Sequence, residues 1–287
     1  MKPITRLFFC SMALTLTVPA IASDGRLLAT GGASSIEGSA GGGITPWAVL
    51  SGYGEEGEWG ATAFATRVDL PDYRLDVAGM AVSYGNRIEL SYARQRFDLG
   101  SLVHKLNLPE NSLSQDVVGL KVRLFGDLIY DRLPQVSAGV QYKRQKDFLI
   151  PTVVGAKRDE DVDAYLTASR LFMGAAFGYN LVVNGGLRYS RANELGLLGF
   201  GGDRRDKRSV LKEGSVAVLF NPRWALGVEY REKPDNLSFA GESDWADLFV
   251  GYFPNKHVSF VLAYARLGEI ATLDKQNGTY LSVQGSF

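Results

Sequence analysis

The chain ends in the sequence Thr279-Tyr-Leu-Ser-Val-Gln-Gly-Ser-Phe287, in which apolar and polar residues alternate. Leu281 and Val283 fall on one face of an extended chain, and Ser282 and Gln284 fall on the other. A period of two predicts a β-strand with one apolar face and one polar face. Because the same pattern recurs along the chain, the sequence predicts an all-β protein whose strands meet an apolar medium on one side.

Thirteen such segments are predicted, and their length of about ten residues suits a tilted strand that crosses a membrane. The connections between them alternate between short turns and long polar loops, which favours an antiparallel up-and-down transmembrane β-barrel. The predicted strands are Ile44–Gly52, Glu58–Val68, Arg74–Tyr84, Arg87–Phe97, Asp116–Phe125, Gln135–Gln145, Val162–Phe172, Leu181–Ser190, Leu211–Phe220, Trp224–Arg231, Trp245–Phe253, Val258–Leu267 and Thr279–Phe287.

The terminal Phe287 resembles the assembly signal of bacterial outer-membrane barrels, whose last strand ends in an aromatic residue. The resemblance implies that the barrel assembly machinery recognises Phe287 and that this end of the last strand faces the periplasm. Gly285 departs from the signal, because a bulky residue is usual at that position. Aromatic residues also stand near both ends of the other strands, as expected at the two lipid–water boundaries.

The first 22 residues are predicted to be a secretory signal peptide. Lys2 and Arg6 precede an apolar stretch, and Ala20-Ile-Ala22 matches a cleavage site. Residues 23–287 would then form one outer-membrane domain in contact with membrane lipid. With 31 basic and 31 acidic residues interspersed, the composition gives no reason to expect nucleic acid as a partner.

Residues 30–43 are rich in glycine and begin a more specific pattern. The run Gly31-Gly-Ala-Ser-Ser-Ile-Glu-Gly-Ser-Ala-Gly-Gly-Gly-Ile-Thr-Pro-Trp47 resembles the opening of an uncharacterised proteobacterial outer-membrane family, domain of unknown function 3034. The resemblance implies an outer-membrane barrel and supplies no activity.

The glycine-rich block also decides the expected number of strands, because barrels of this type have an even number. If Ala33–Ser39 rises through the membrane and Gly41–Gly43 turns, the thirteen segments become fourteen strands, which is the preferred count. The alternative is twelve strands, with the N-terminal block lying inside the lumen as a plug.

Polar residues on the faces opposite the apolar ones are predicted to line the lumen. Both signs of charge occur among them, so a lattice of salt bridges that closes the lumen and a selectivity filter are both possible roles. The candidates are Arg87, Glu89, Lys121, Arg123, Gln141, Lys143, Asn184, Arg188, Glu229 and Arg231.

A second group of arginines follows tyrosines at the ends of upward strands, near the predicted outer boundary. Arginine binds phosphate well, so these side chains either contact lipopolysaccharide or pair with acidic residues of the loops. The candidates are Arg94, Arg144, Arg191 and Arg266.

The sequence favours a passive channel or small-solute transporter over a structural or surface-interaction barrel with a filled lumen. A lipid-modifying enzyme is the least favoured class, because His257 and Ser259 have no evident acidic partner and lie at the wrong rim for lipopolysaccharide. No catalytic residue, metal site or cofactor is predicted.

Overall fold

The computed structural model describes residues 26–106, 110–239 and 241–287, and the predicted signal peptide lies outside these ranges. Two very short strands precede twelve longer ones. The strands are β1 (Ala33–Ser34), β2 (Ala40–Gly41), β3 (Trp59–Asp69), β4 (Arg74–Tyr84), β5 (Ile88–Asp98), β6 (Ser112–Phe125), β7 (Gln135–Gln145), β8 (Glu160–Ala176), β9 (Tyr179–Ser190), β10 (Ser209–Asn221), β11 (Trp224–Arg231), β12 (Trp245–Tyr252), β13 (Val258–Arg266) and β14 (Asn277–Ser286).

Strands β3 to β14 form one closed antiparallel barrel in sequence order. The barrel closes where β14 pairs with β3, from Thr279 opposite Asp69 to Ser286 opposite Thr62. The prediction of an all-β up-and-down barrel is therefore confirmed. Three of the predicted strands, now β4, β7 and β11, have the bounds that the sequence pattern gave.

Alternation along each strand separates the lumen from the lipid-facing surface. On β14 the side chains of Tyr280, Ser282 and Gln284 are buried, whereas Leu281 and Val283 are exposed. In a barrel the buried face of a strand points into the lumen and the exposed apolar face points outward. One irregularity lies on β6, where the register with β7 shifts between Arg123 and Phe125, so a bulge turns the end of this strand.

The two ends of the barrel differ in their connections. At one end, here called the turn end, short connections such as Gly85-Asn86 join the strands, and both of these residues have positive φ. Phe287 lies at the same end, where its amide donates a hydrogen bond to the Ala61 carbonyl. The opposite end, here called the loop end, carries the long connections, including the short helices α1 (Ser101–Leu106) and α2 (Leu149–Val153).

The barrel has twelve strands, so the preferred count of fourteen is corrected and the alternative, twelve strands with an N-terminal plug, is confirmed. The predicted strand Ile44–Gly52 lies inside the lumen, as does the block that was expected to rise before it. Every residue from 30 to 54 is buried, so no face of this stretch meets lipid, and β1 pairs only with β2. Residues 30–54 are called the inner segment below.

The outer surface combines an aliphatic belt with aromatic residues near both ends. Exposed aliphatic side chains include Met80, Val140 and Leu248, which lie near the middle of their strands. Both ends carry exposed aromatic residues, as expected for two lipid–water boundaries. Those towards the loop end include Tyr142, Tyr189, Tyr230 and Tyr264, and those towards the turn end include Trp59, Tyr84, Phe220 and Trp224. No helix in the described residues is long and apolar enough to span a membrane.

Candidate functional site

The candidate site is the lumen itself, because the inner segment occupies it and the wall holds that segment through polar contacts. Apart from Tyr53, Glu37 is the only ionisable residue of the segment, and its side chain is wholly buried. Buried charges are costly unless they are paired. The position of Glu37 therefore depends on what the wall places around it.

Three cations of the wall converge on the Glu37 carboxylate. Arg231 lies 2.7 Å and Arg188 3.3 Å from its Oε2, and the Lys143 ammonium contacts its Oε1. Two wall carboxylates complete the lattice: Asp163 pairs with Lys143 at 2.6 Å, and Glu213 pairs with Arg188 at 2.6 Å. The positive charges of the three cations equal the negative charges of the three carboxylates only while Glu37 is in place.

Glu229 on β11 holds the next part of the inner segment through hydrogen bonds. Its carboxylate accepts from the Ile44 amide at 2.8 Å, the Thr45 hydroxyl at 2.7 Å and the Trp47 indole at 3.3 Å. This approach needs a glycine nearby, because a Cβ on Gly42 would lie 1.8 Å from Glu229 Oε1. The glycine-rich sequence thus lets backbone donors reach a charged wall residue.

Glu89 and Lys121 form a third attachment point. The two side chains pair at 3.2 Å, and both are buried. Glu89 accepts hydrogen bonds from the amides of Ala40 (3.2 Å) and Ser51 (2.8 Å), and Lys121 donates to the Ala40 carbonyl at 2.8 Å. Because these bonds give backbone groups of the segment partners on the wall, the irregular chain can lie inside a barrel.

Neutral wall residues also form hydrogen bonds with the inner segment. Ala48 lies between β7 and β8: its amide donates to Ser169 Oγ at 2.8 Å, and its carbonyl accepts from Ser137 Oγ at 2.6 Å. The Gln95 amide group donates to the Ile36 carbonyl at 2.8 Å.

Eight of the ten predicted lumen residues are buried inside the barrel. They are Glu89, Lys121, Gln141, Lys143, Asn184, Arg188, Glu229 and Arg231. Arg87 is exposed in the turn before β5, and Arg123 lies half-buried at the turn end, where it pairs with Asp127 at 3.0 Å. The alternation that predicted them fails at these two positions because Arg87 precedes its strand and Arg123 adjoins the bulge on β6.

Sequence reasoning missed Glu37, Asp163 and Glu213, which carry the negative half of the lattice. Asp163 and Glu213 lie on the inward faces of strands that were predicted, so the alternation could have identified them. Glu37 offered a weaker signal, namely a single charge within a glycine-rich block.

One loop also folds into the lumen, at the loop end. Residues 192–202 are buried, and the Leu195 carbonyl accepts hydrogen bonds from Lys143 at 3.2 Å and Gln115 at 3.3 Å. Glu194 and Leu195 adopt positive φ angles of 43° and 60°, which non-glycine residues rarely do. This stretch, called the inward loop below, therefore covers the inner segment.

The inward loop is attached to its neighbours by a buried charge cluster. Lys233 lies 2.7 Å from Glu194 and 3.1 Å from Glu242, so two carboxylates share one cation. Burial raises the pKa of the Glu194 carboxyl to about 8, and the neighbouring Glu242 carboxylate also raises it, against the opposing effect of Lys233.

The candidate lipopolysaccharide arginines fall into two groups. Arg94, Arg144 and Arg266 are exposed on the outer face near the loop end and are called the outer arginines below. Arg94 and Arg144 lie 3.9 Å and 3.8 Å from acidic residues, which are close to the limit for a salt bridge. Arg191 is mostly buried and pairs with Asp161 at 2.5 Å, so its guanidinium is engaged within the protein.

The sequence from residue 30 to residue 284 matches the family described as "Protein of unknown function (DUF3034)". The chain belongs to this family. The DUF3034 match includes the inner segment and nearly all of the barrel, so the barrel and its filling are parts of one family unit. No curated protein matches the chain.

Solved structures that resemble this DUF3034 protein are outer-membrane barrels. The KdgM porin has a TM-score of 0.50 and 10% identity, with 79% of this chain and 99% of the porin covered. The NanC porin has a TM-score of 0.48 and 11% identity, with 79% of this chain and 98% of the porin covered. The outer membrane protein Omp33 of Acinetobacter baumannii has a TM-score of 0.46 and 10% identity, with 82% of this chain and 100% of Omp33 covered. At these identities the KdgM match establishes the barrel fold alone.

Proposed function

We propose that this protein is an outer-membrane transporter for small solutes whose lumen is closed at rest by the inner segment. The observation that carries the proposal is that the lumen is filled by a separate stretch of chain and not by the wall's own side chains. Narrow eight-stranded barrels can be filled by their wall residues, whereas twelve strands enclose more space than that. The segment joins the barrel wall covalently through β3, and its other attachments to the wall are non-covalent, so it is able to move.

The polarity of the wall supports this role. Many of the side chains that face the segment are Ser, Thr, Gln, Asn or ionised residues, which water would solvate if the segment moved. A core that was permanently dry would gain stability from apolar packing, since replacing buried ion pairs with apolar groups is often stabilising. The polar wall therefore suits a lumen that becomes hydrated during transport.

The location of the protein follows from the same proposal. A signal peptide at residues 1–22 would direct export, and the assembly machinery would recognise Phe287, which places the turn end in the periplasm. The loop end would then face the cell exterior, where the outer arginines can bind lipopolysaccharide phosphates.

The first test removes the inner segment. A Cβ on Gly31 would lie 3.1 Å from the Gly52 carbonyl oxygen, so the two ends of the segment lie close together and residues 30–53 can be deleted. In planar bilayers the wild-type protein should open rarely, and the deletion variant should conduct steadily. Heat-modifiable migration in gels serves as the control for folding. A folded deletion variant that stays silent would favour the structural barrel with a filled lumen.

The second test fixes the segment in place. Ala48 and Ser169 are in contact inside the lumen, and the only natural cysteine is Cys10, within the predicted signal peptide. The variant A48C/S169C should form a disulfide, which mass spectrometry can verify. Oxidised protein should show no openings, and reduction should restore the wild-type frequency. Equal activity in both redox states would contradict a moving segment.

A further inference from the structure

A cavity of about 560 Å³ lies at the turn end of the barrel, where the inner segment enters and leaves the lumen. It is bounded by the β4–β5 turn at 85–87, by the start of the connection between β6 and β7 at 126–130, and by the chain on both sides of the segment, at 26–30 and 55–56. Sites for small molecules commonly measure about 300–1,000 Å³, so this cavity has room for a solute of several heavy atoms.

Three arginines, Arg26, Arg87 and Arg123, line this cavity. Arg26 precedes the inner segment and is half-buried. Its Nη1 donates a hydrogen bond to the Gly52 carbonyl and its Nη2 to the Thr30 carbonyl, both at 3.0 Å. A guanidinium carries five N–H donors, so these two bonds hold the group in position and leave other donors for a ligand.

The positive charge of Arg26 has no counter-ion in contact with it. Both hydrogen-bond partners of Arg26 are carbonyl oxygens, and in the described part of the chain no carboxylate forms a salt bridge with it. Burial lowers the pKa of the Arg26 guanidinium, and the positive charge of Arg123 lowers it further, whereas Tyr53 and two acidic residues act in the opposite direction. A bound anion would stabilise this partly buried charge.

The acidic residues of the cavity do not supply that anion. The Asp127 carboxylate pairs with Arg123 at 3.0 Å and accepts hydrogen bonds from the amides of Ile129 (2.9 Å) and Tyr130 (3.0 Å). The Nη1 of Arg123 forms no hydrogen bond with the described residues, since only Nε and Nη2 are engaged. The two glutamates at 55–56 are exposed at the rim, where water solvates them.

We infer that this cavity binds small solutes that carry a carboxylate or phosphate group, with Arg26 holding the anionic group and Arg87 and Arg123 beside it. Arginine binds both groups through charge-assisted and often paired hydrogen bonds. A neutral solute of the same shape would leave the partly buried charge of Arg26 unpaired. The inference goes beyond the proposed transport, because the cavity and its arginines are present whether or not the inner segment moves.

The position of the cavity favours a dissolved anion over the phosphate of a lipid headgroup. Thr30 and Gln135 line the cavity and are buried, so it extends from the mouth of the barrel towards the lumen. A dissolved solute reaches this space directly from the aqueous side, whereas a lipid headgroup would have to leave the lipid–water boundary.

Ligand-observed NMR of succinate with the refolded protein in deuterated detergent tests the inference. Saturation transferred from the protein to the succinate methylene protons should rise to a plateau as succinate is added. Succinamide, which has a similar shape and no charge, should give no saturable signal, and inorganic phosphate should compete with succinate. Absence of a saturable succinate signal, or an equal signal from succinamide, would overturn the inference.

Arginine variants locate the binding. R26Q should weaken succinate binding at least about tenfold, because it removes charge-assisted hydrogen bonds. R223Q neutralises an exposed arginine of the turn end that does not line this cavity, and it should leave binding unchanged. Heat-modifiable migration in gels shows that each variant is folded. Normal binding by folded R26Q would overturn the assignment.

A second variant covers the case in which R26Q does not fold, since Arg26 also holds two carbonyls of the inner segment. Arg87 is exposed in its turn, and its guanidinium contacts only the Leu124 carbonyl, at 3.5 Å, among the described residues. R87Q should therefore fold normally and weaken succinate binding by a smaller factor than R26Q. If R26Q does not fold, unchanged binding by R87Q would overturn the assignment.

A lipid competitor separates the two sources of phosphate. Phosphatidylglycerol mixed into the detergent micelles should not displace succinate. Displacement by this lipid, without competition by inorganic phosphate, would assign the cavity to a headgroup and overturn the inference of a solute site. The conductance tests of the deletion and disulfide variants measure movement of the inner segment, so the solute site and the proposed transporter can each fail alone.

Discussion

Neutralising Glu37 should release the inner segment. In E37Q the cations Lys143, Arg188 and Arg231 would face only two carboxylates instead of three. Removing one partner of a buried ion pair costs roughly 3–5 kcal/mol. Because Gln keeps the shape of Glu and one acceptor oxygen, we expect a cost at the lower end of this range, about 3 kcal/mol. At about 1.4 kcal/mol per tenfold change, the fraction of protein with a displaced segment should rise about a hundredfold.

Cysteine labelling measures this fraction. Ser35 is fully buried in the segment, so a thiol-reactive probe would reach S35C only when the segment moves. The labelling rate of S35C/E37Q should exceed that of S35C about a hundredfold, and E56Q, a Glu-to-Gln change at an exposed position, should leave the rate unchanged.

A charge-restoring variant separates electrostatics from general damage. E37Q/K143Q leaves two cations and two carboxylates in the lattice, so the labelling rate should fall back towards that of the parent. If E37Q labels no faster than the parent while its gel migration shows a folded barrel, then the lattice does not hold the segment and the reasoning is refuted.

Three further predictions concern other parts of the site. G42A should displace Glu229 and speed S35C labelling, at a cost of about 1–3 kcal/mol for overpacking, whereas G185A has open space around its new Cβ and should be neutral. Glu194 has a pKa of about 8 against an ordinary value of 4.5, so the folded inward loop binds its proton more tightly than an open loop. The protection of the inward loop from proteolysis should be greatest below about pH 4.5 and should fall as the pH rises to about 8. The variant E194Q should flatten this pH profile. Reversing all three outer arginines to Glu should weaken lipopolysaccharide binding in a pull-down, and unchanged binding would remove them as contacts. The matched control reverses three exposed arginines of the turn end: Arg87, Arg132 and Arg223.

The strands were predictable because a membrane barrel imposes a simple rule on each residue. Lipid on one side requires apolar side chains, and the lumen accepts polar ones, so a local period of two identifies both the strand and its faces. β4, β7 and β11 have the predicted bounds for this reason. The alternation does not hold at Arg87, which lies in a turn, or at Arg123, which lies next to a bulge.

The sequence suggested an inner segment as one of two alternatives, but it could not decide between a plug and additional barrel strands. Ile44–Gly52 has the length and apolar content of a strand, and only the closure of β14 on β3 shows that the barrel has no gap for it. Glu37 gave little signal, because a lone charge among glycines is compatible with a loop, a strand or a plug.

The sequence by itself determined that this chain forms an up-and-down barrel, which faces of its strands point inward, and which polar residues lie on them. These properties follow from local periodicity, to which each residue contributes independently. The tertiary structure decided the number of strands, the filling of the lumen, and the pairing of Glu37 with three cations from separate strands. Those properties depend on contacts between residues up to 250 positions apart, which no local pattern encodes.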